Sequence, residues 1–140
     1  MAAVSPYIHF DGNCEAAFNF YKTVFQSEFT ALSHFDEAPE DSCVIDGPAN
    51  RVMHVALPIG DGTVLLGSDS PDQEHEFKAG NNFSIVIRPF NEEEAHRLFN
   101  ELSAGGRIVM SLEKTFWGAL YGSFIDKFGI SWMINFDLPK

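Results

Sequence analysis

The chain of 140 residues carries 20 acidic and 9 basic side chains, which gives a formal net charge of −11. Proteins that bind nucleic acid or an anionic membrane surface need clustered lysine and arginine, so we exclude both as partners. The opening MAAVSPYIHFDG has no signal-peptide features and no apolar run is long enough to span a membrane, so we expect a cytoplasmic protein.

The chain contains an internal repeat, and its first copy begins with PYIHF, a short β-type run. A DGN turn follows, in which Asn13 stands where asparagine favours the N-cap of a helix. An apolar helical stripe comes next, formed by Ala17, Phe20, Tyr21 and Val24. Strands are predicted after this helix at residues 29–35, 51–58 and 63–68.

The second copy repeats this order, and its candidate N-cap, Asn91, follows Asn13 by 78 residues. Glu94 lies three residues after Asn91, which resembles a capping box. The apolar stripe recurs at the same offset, as Ala95, Leu98, Phe99 and Leu102. The predicted strands of this copy are residues 82–90, 107–112, about 119–126 and about 130–136.

The repeat predicts an α+β fold made of two βαβββ modules. We place module 1 at about 4–69 and module 2 at about 82–137, within a single domain of residues 1–140. Each module forms a curved mixed sheet with a helix on one face, and the other face must also be covered. Two such sheets around a cleft provide a concave site of the kind that binds small molecules.

Three stretches carry a family resemblance over most of the chain: PYIHFDGNCEAAFNFYKTVF, MHVALPIGDGTVLLGSD and FWGALYGSFIDKFGISWMIN. This resemblance is to the PhnB-like branch of the vicinal oxygen chelate superfamily, which includes glyoxalase I, bleomycin resistance proteins and extradiol dioxygenases. It implies the paired-module fold and a homodimer. Some PhnB-like proteins are labelled demethylubiquinone methyltransferases, but the chain has no glycine-rich strand–helix turn of the kind that binds a nucleotide cofactor.

Enzymes of the superfamily hold a divalent metal between the first and last strands of each module. The resemblance places these ligand positions near Pro6, in residues 82–84, among Leu65, Leu66 and Ser68, and at Met133. None of these side chains is a good ligand for a Lewis-acid metal. We therefore expect no cofactor and predict that the usual metal site is lost.

Polar candidates for the site are His9, His54 and Cys43. The two histidines lie within predicted strands, where they could bind metal, transfer protons near neutral pH, or serve as hydrogen-bonded wall residues. A nucleophilic cysteine needs a base or a positive field, and no partner for Cys43 can be assigned, so a small semi-buried residue is the alternative.

Aromatic candidates for a pocket wall are Phe116, Trp117, Tyr121 and Trp132, which would suit a dimer interface equally well. Asp126 starts the turn that ends at Gly129, and we interpret it as turn architecture rather than as an acid.

These observations predict a dimeric protein that binds an unidentified small molecule without the usual metal. The alternative is a metal-dependent lyase, isomerase or dioxygenase whose variant ligand set includes His9 and His54.

Overall fold

A computed structural model describes residues 2, 4–35, 51–60, 62–70 and 77–139. The chain divides into two compact units, Met1–Lys78 and Ala79–Lys140, each of which is described by itself. Within the described residues, both helices are too short and too polar to cross a membrane. The α+β prediction of two βαβββ modules is confirmed, because each unit contains one helix and one four-stranded mixed sheet.

Unit 1 runs through five elements in the order strand, helix, strand, strand, strand. They are β1 (Tyr7–Phe10), α1 (Cys14–Phe25), β2 (Ala31–His34), β3 (Val52–Gly60) and β4 (Thr63–Asp69). The sheet has the order β1-β4-β3-β2, in which β1 and β4 are parallel and the other neighbours are antiparallel. The first and last strands of the unit therefore lie side by side.

Unit 2 repeats this topology. Its elements are β5 (Ile85–Ile87), α2 (Glu92–Ser103), β6 (Arg107–Lys114), β7 (Ala119–Ile125) and β8 (Ser131–Asp137). The sheet order is β5-β8-β7-β6, again with a parallel pair at β5 and β8. Both helices have 12 residues, and the offset of 78 holds at both of their ends. β5 is much shorter than the predicted strand over residues 82–90.

The N-cap residue of α1 is Asn13, as predicted, but the hydrogen bonds at this helix start are accepted by a side chain from outside the helix. The Asn13 side chain makes no capping hydrogen bond. Instead Asp69, at the end of β4, accepts hydrogen bonds from the backbone N–H groups of Gly12 at 2.8 Å, Cys14 at 3.0 Å and Val52 at 2.9 Å. This buried carboxylate joins the helix start to two strands and satisfies donors that a helix end leaves unpaired.

The N-terminus of α2 is capped locally, as the sequence predicts. Asn91 Oδ1 accepts a hydrogen bond from the Glu94 backbone N–H at 2.7 Å. In the usual capping box the glutamate side chain accepts from the N-cap backbone N–H. Here Glu94 Oε1 accepts instead from the residue before the N-cap, the backbone N–H of Phe90, at 3.1 Å. The three glutamates of the first turn add favourable charge at the positive end of the helix.

Each sheet carries a glycine beneath a phenyl ring of its helix. A Cβ atom added to Gly67 of β4 would lie 2.5 Å from Phe18 Cε1, and one added to Gly122 of β7 would lie 2.7 Å from Phe99 Cε2. The glycines therefore allow each ring to approach the sheet backbone. Phe99 also packs edge-to-face on Phe124 of β7, with ring centroids 5.2 Å apart.

The turn between β7 and β8 has the architecture that the sequence predicts. Asp126 Oδ1 accepts hydrogen bonds from the backbone N–H groups of Phe128 at 2.8 Å and Ile130 at 3.0 Å. Asp126 Oδ2 accepts from Trp132 Nε1 at 2.8 Å. Gly129 supplies the positive φ of the turn, at 88°. The carboxylate is buried, so its role is to hold the hairpin.

Candidate functional site

The two faces of each sheet are distinguished by the helix that packs on one of them. In unit 1, Phe18 of α1 lies over Gly67, and Gly67 pairs with Ile8 and Val55. Because side chains alternate along a strand, Tyr7, His9 and His54 project from the opposite face. We call this helix-free surface the open face of unit 1.

The open face of unit 1 gathers the two histidines around a residue that the sequence analysis missed. The Tyr7 ring centroid lies 4.9 Å from that of His9 and 6.4 Å from that of His54. Tyr7 is 42% exposed and His9 is also exposed, so the cluster is accessible from solvent. The sequence did contain a signal for Tyr7, because residues two apart in a strand share a face and Tyr7 lies two residues before His9.

In unit 2 the same reasoning defines a second open face. Phe124 pairs with Trp132, and Gly122 pairs with Ile134, on the side covered by Phe99 of α2. The alternate residues of β7 and β8 therefore project from the open face of unit 2. They are Tyr121, Ser123, Met133 and Asn135, joined from the outer strands by Val86, Met110 and Glu113.

Two rows of side chains cross the open face of unit 2. The apolar row joins Val86, Met133, Ser123 and Met110 in register across all strands of the sheet. The polar row joins Glu113, Tyr121 and Asn135 in register across three strands. Tyr121 links the rows, since its hydroxyl donates to Met133 Sδ at 3.9 Å, which is a weak hydrogen bond.

Asn135 is unusual within the polar row. Its Oδ1 is buried and has no hydrogen-bond partner among the described residues. A buried carbonyl without a donor costs about 1–3 kcal/mol, and such an atom in a folded protein calls for an explanation. Asn135 could be inferred from the sequence only through its position two residues after Met133, on the same face of the strand.

The aromatic candidates of the closing segment divide into an exposed series and a buried residue. Phe116, Trp117 and Tyr121 form a series of edge-to-face contacts, with ring centroids 5.0 and 6.0 Å apart. Phe116 is 98% exposed and Trp117 57% exposed, which places apolar rings in water beside the polar row. Trp132 does not join them, because it is fully buried on the helix side of the sheet.

Cys14, the cysteine in the described part of the chain, is not an activated nucleophile. Burial raises the pKa of the Cys14 thiol far above its ordinary range, and the carboxylates of Asp69 and Glu15 raise it further. Cys14 is therefore a protonated core residue at neutral pH. Cys43 lies outside the described residues.

On the open face of each unit, the side chains that pair the first strand with the last strand do not fit a Lewis-acid metal site. On the open faces, Met133 pairs with Val86, and the corresponding pair in unit 1 is Ser68 and His9. A thioether, a valine, a hydroxyl and one imidazole are not the ligand set of such a metal. In the described ranges, no group of three or more His, Cys, Asp or Glu side chains could hold an ion.

The sequence profile of the family described as 3-demethylubiquinone-9 3-methyltransferase matches residues 2–135. The chain belongs to this family. Protein YjdN of Escherichia coli is 29% identical to it in an alignment that covers 94% of this chain and 93% of that protein. The predicted PhnB-like membership is confirmed by this match and by the solved structures.

Two solved structures are close relatives of this PhnB-like chain. Protein PA1353 from Pseudomonas aeruginosa is 32% identical, covers 99% of this chain and 100% of its own, and has a TM-score of 0.86. A putative 3-demethylubiquinone-9 3-methyltransferase, PhnB protein, from Bacillus cereus is 28% identical, with coverages of 96% and 99% and a TM-score of 0.78. The fold is shared by one glyoxalase/bleomycin resistance protein/dioxygenase family enzyme from Burkholderia phytofirmans, which is 15% identical, with coverages of 96% and 97% and a TM-score of 0.64.

Proposed function

We propose that this PhnB-like protein binds a small molecule on its open faces and does so without the superfamily's usual metal. The observation that carries the proposal is the unit 2 surface, where an apolar row and a polar row cross a sheet face left free by α2. Ligand sites are mostly apolar and carry a few placed polar groups that fix orientation. The Met133 and Val86 pair supports the loss of the metal, since neither side chain binds a hard or borderline divalent ion well.

The family is described as a methyltransferase, but the residues of this chain do not indicate a site for a nucleotide-type cofactor. Dinucleotide cofactors commonly place phosphate groups at a helix N-terminus that follows a glycine-rich turn. Here the backbone N–H groups of Gly12 and Cys14 at the start of α1 already donate to Asp69. This occupied helix start supports binding without a nucleotide-type cofactor.

A thermal-shift screen tests the proposal directly. We expect the purified full chain, treated with chelator, to be stabilised by at least one class of small organic molecule. S-adenosylmethionine is included as a separate arm, and stabilisation by it would favour the methyltransferase chemistry instead. If no class of compound shifts the unfolding temperature or perturbs the spectrum of the protein, binding is not its function.

A second function is favoured by one observation, the Tyr7, His9 and His54 cluster. A metal-dependent lyase, isomerase or dioxygenase would use His9 and His54 as part of a variant ligand set. We expect elemental analysis to find no stoichiometric metal, and Ni²⁺, Zn²⁺, Mn²⁺ and Fe²⁺ to leave the unfolding temperature unchanged. Bound metal that is lost in the His9→Ala/His54→Ala double variant, and retained in a His96→Ala control on α2, would establish the second function.

We further propose that the protein is a homodimer. The outer strand β6 supports this, because Ile108, Val109 and Met110 are 52%, 55% and 51% exposed along an edge that has only one neighbouring strand. An exposed apolar edge strand presents unpaired backbone groups that can pair with another chain. We expect Val109→Lys to convert the dimer to monomer in sedimentation experiments, whereas Val4→Lys, at a valine 91% exposed, does not. A wild-type monomer at micromolar concentration would disprove the dimer.

A further inference from the structure

The open face of unit 2 has a chemical bias that points to one class of ligand. Its polar row offers a carboxylate at Glu113, a phenol at Tyr121 and an amide carbonyl at Asn135. Among these groups the fixed charge is negative, and Glu113 forms no ion pair with any described residue. The row therefore presents hydrogen-bond acceptors and one uncompensated negative charge.

The aromatic series lies at the same end of the face. Trp117 packs on Tyr121, which pairs with Glu113 on one side and Asn135 on the other. Aromatic faces attract organic cations through the ring quadrupole, and tryptophan is the most effective of the three rings. Exposed rings beside an unpaired carboxylate are a favourable environment for an ammonium group.

The orphan carbonyl of Asn135 adds a requirement for a hydrogen-bond donor. Asn135 is half-buried, and the terminal amide torsion of asparagine is broad, so a modest rotation presents Oδ1 to the open face. A ligand N–H would then satisfy an acceptor that the described residues leave unpaired. Neighbouring strands are about 4.8 Å apart, so Glu113 and Asn135 lie about 10 Å from each other across Tyr121.

We propose that the open face of unit 2 binds an organic ammonium compound with an apolar body. The N–H groups of the ammonium lie between Glu113 and Asn135 beside Tyr121 and Trp117, and the apolar body lies along Met133 and Met110. Methionine side chains adapt to varied apolar shapes, which suits a surface that holds the body of a ligand rather than its reacting centre. This inference rests on the proposed binding function and names the ligand class for it.

The test uses three probes of similar shape on the full-length protein: 2-phenylethylammonium, 2-phenylethanol and 3-phenylpropanoate. With ¹³C-methyl-labelled methionine, we expect the ammonium probe to shift the signals of Met110 and Met133, while Met53 in unit 1 serves as an internal reference. The neutral alcohol should bind at least about threefold more weakly, and the anion should not bind.

Matched variants measure separately how the Glu113 charge and the Trp117 ring contribute to binding of the ammonium probe. Glu113→Gln should weaken binding of the ammonium probe about three- to fivefold and leave the alcohol unaffected. Glu92→Gln removes the same charge from the first turn of α2 and should change neither. Trp117→Ala should weaken the ammonium probe more than Trp117→Phe does, because phenylalanine keeps a ring face.

Asn135→Leu gives a result that a merely structural role would not. Removing an unpaired buried acceptor should leave the unfolding temperature unchanged or raised, while the affinity for the ammonium probe falls. Equal effects of the two glutamate variants, or equal affinities for the three probes, would overturn the assignment of the ligand class. If no probe moves Met110 or Met133 but another compound stabilises the protein, the ammonium proposal fails and the binding function stands; if nothing binds, both fail.

Discussion

Among the carboxylates that the structure describes in unit 1, replacement of Asp69 is expected to cause the largest loss of stability. The side chain is 3% exposed and accepts hydrogen bonds from the backbone N–H groups of Gly12, Cys14 and Val52. Hydrogen bonds to a charged acceptor contribute about 1.5–3 kcal/mol each, and the buried donors left behind lose their partners as well. Allowing for partial access of water at Gly12, we expect Asp69→Ala to lower the free energy of unfolding by about 4 kcal/mol.

The conservative variant Asp69→Asn should lower the free energy of unfolding less than Asp69→Ala does. Asp69→Asn keeps one acceptor oxygen for Gly12 and Cys14, but it turns an NH₂ group toward the Val52 N–H, where two donors would stand 2.9 Å apart. We expect a loss of about 2 kcal/mol, between the wild type and the alanine variant. Asp11→Asn is the control, because Asp11 is 53% exposed and its ion pair with Arg51 contributes no more than about 1 kcal/mol.

Urea denaturation measures this series, with far-UV circular dichroism as the main probe. Tryptophan fluorescence provides a second probe, because Trp117 and Trp132 both lie in unit 2, while the substitutions lie in unit 1. Coincident transitions would allow one free energy to be assigned to the chain. If Asp69→Ala loses no more than Asp11→Asn, the carboxylate does not cap α1 and the account of that helix start is wrong.

Two further predictions concern the core. Gly122→Ala should lower the free energy of unfolding by about 1–3 kcal/mol, because the new Cβ would lie 2.7 Å from Phe99 Cε2 and 3.0 Å from the Leu112 Cα. The control is Gly60→Ala, whose new Cβ would have nothing within 4 Å; it should change the free energy of unfolding by less than about 0.5 kcal/mol in the same urea assay. In a Cys43→Ser background, Cys14 should react with a disulfide reagent at pH 8 at least about 100-fold more slowly in the native state than in urea, because burial raises its pKa and excludes the reagent. Equal rates would show that the thiol is accessible.

The helices could be predicted from the sequence because their signals are local. An apolar stripe and an asparagine three residues before a glutamate suffice for α2, and the cap at Asn91 is confirmed. Asn13 is likewise the N-cap residue of α1, as predicted, but the acceptor at this helix start comes from Asp69, which is 55 residues from Cys14 in sequence. A cap supplied by a distant strand leaves no mark near the helix, so only the tertiary structure reveals it.

The repeat alone does not predict which face of a sheet each strand side chain occupies. The offset of 78 relates Ile8 to Val86, yet Ile8 faces α1 in the core while Val86 lies on the open face and is 50% exposed. The connection between strand and helix is one residue longer in unit 2, and a slip of one residue turns every side chain of a strand to the other face. His9 therefore corresponds to Val86 rather than to Ile87.

This correspondence changes how the two open faces are compared. Within the shared topology, His9 and Ser68 of unit 1 match Val86 and Met133 of unit 2, so a polar pair and an apolar pair occupy equivalent positions. The helices, the glycines beneath their phenyl rings and the strand order are common to both units, because each sheet must bury one face against its helix. No such requirement constrains the open faces, so differences between the two units there reflect what each surface contacts. Because the two open faces differ in this way, the histidine cluster of unit 1 and the polar row of unit 2 are tested by separate variants.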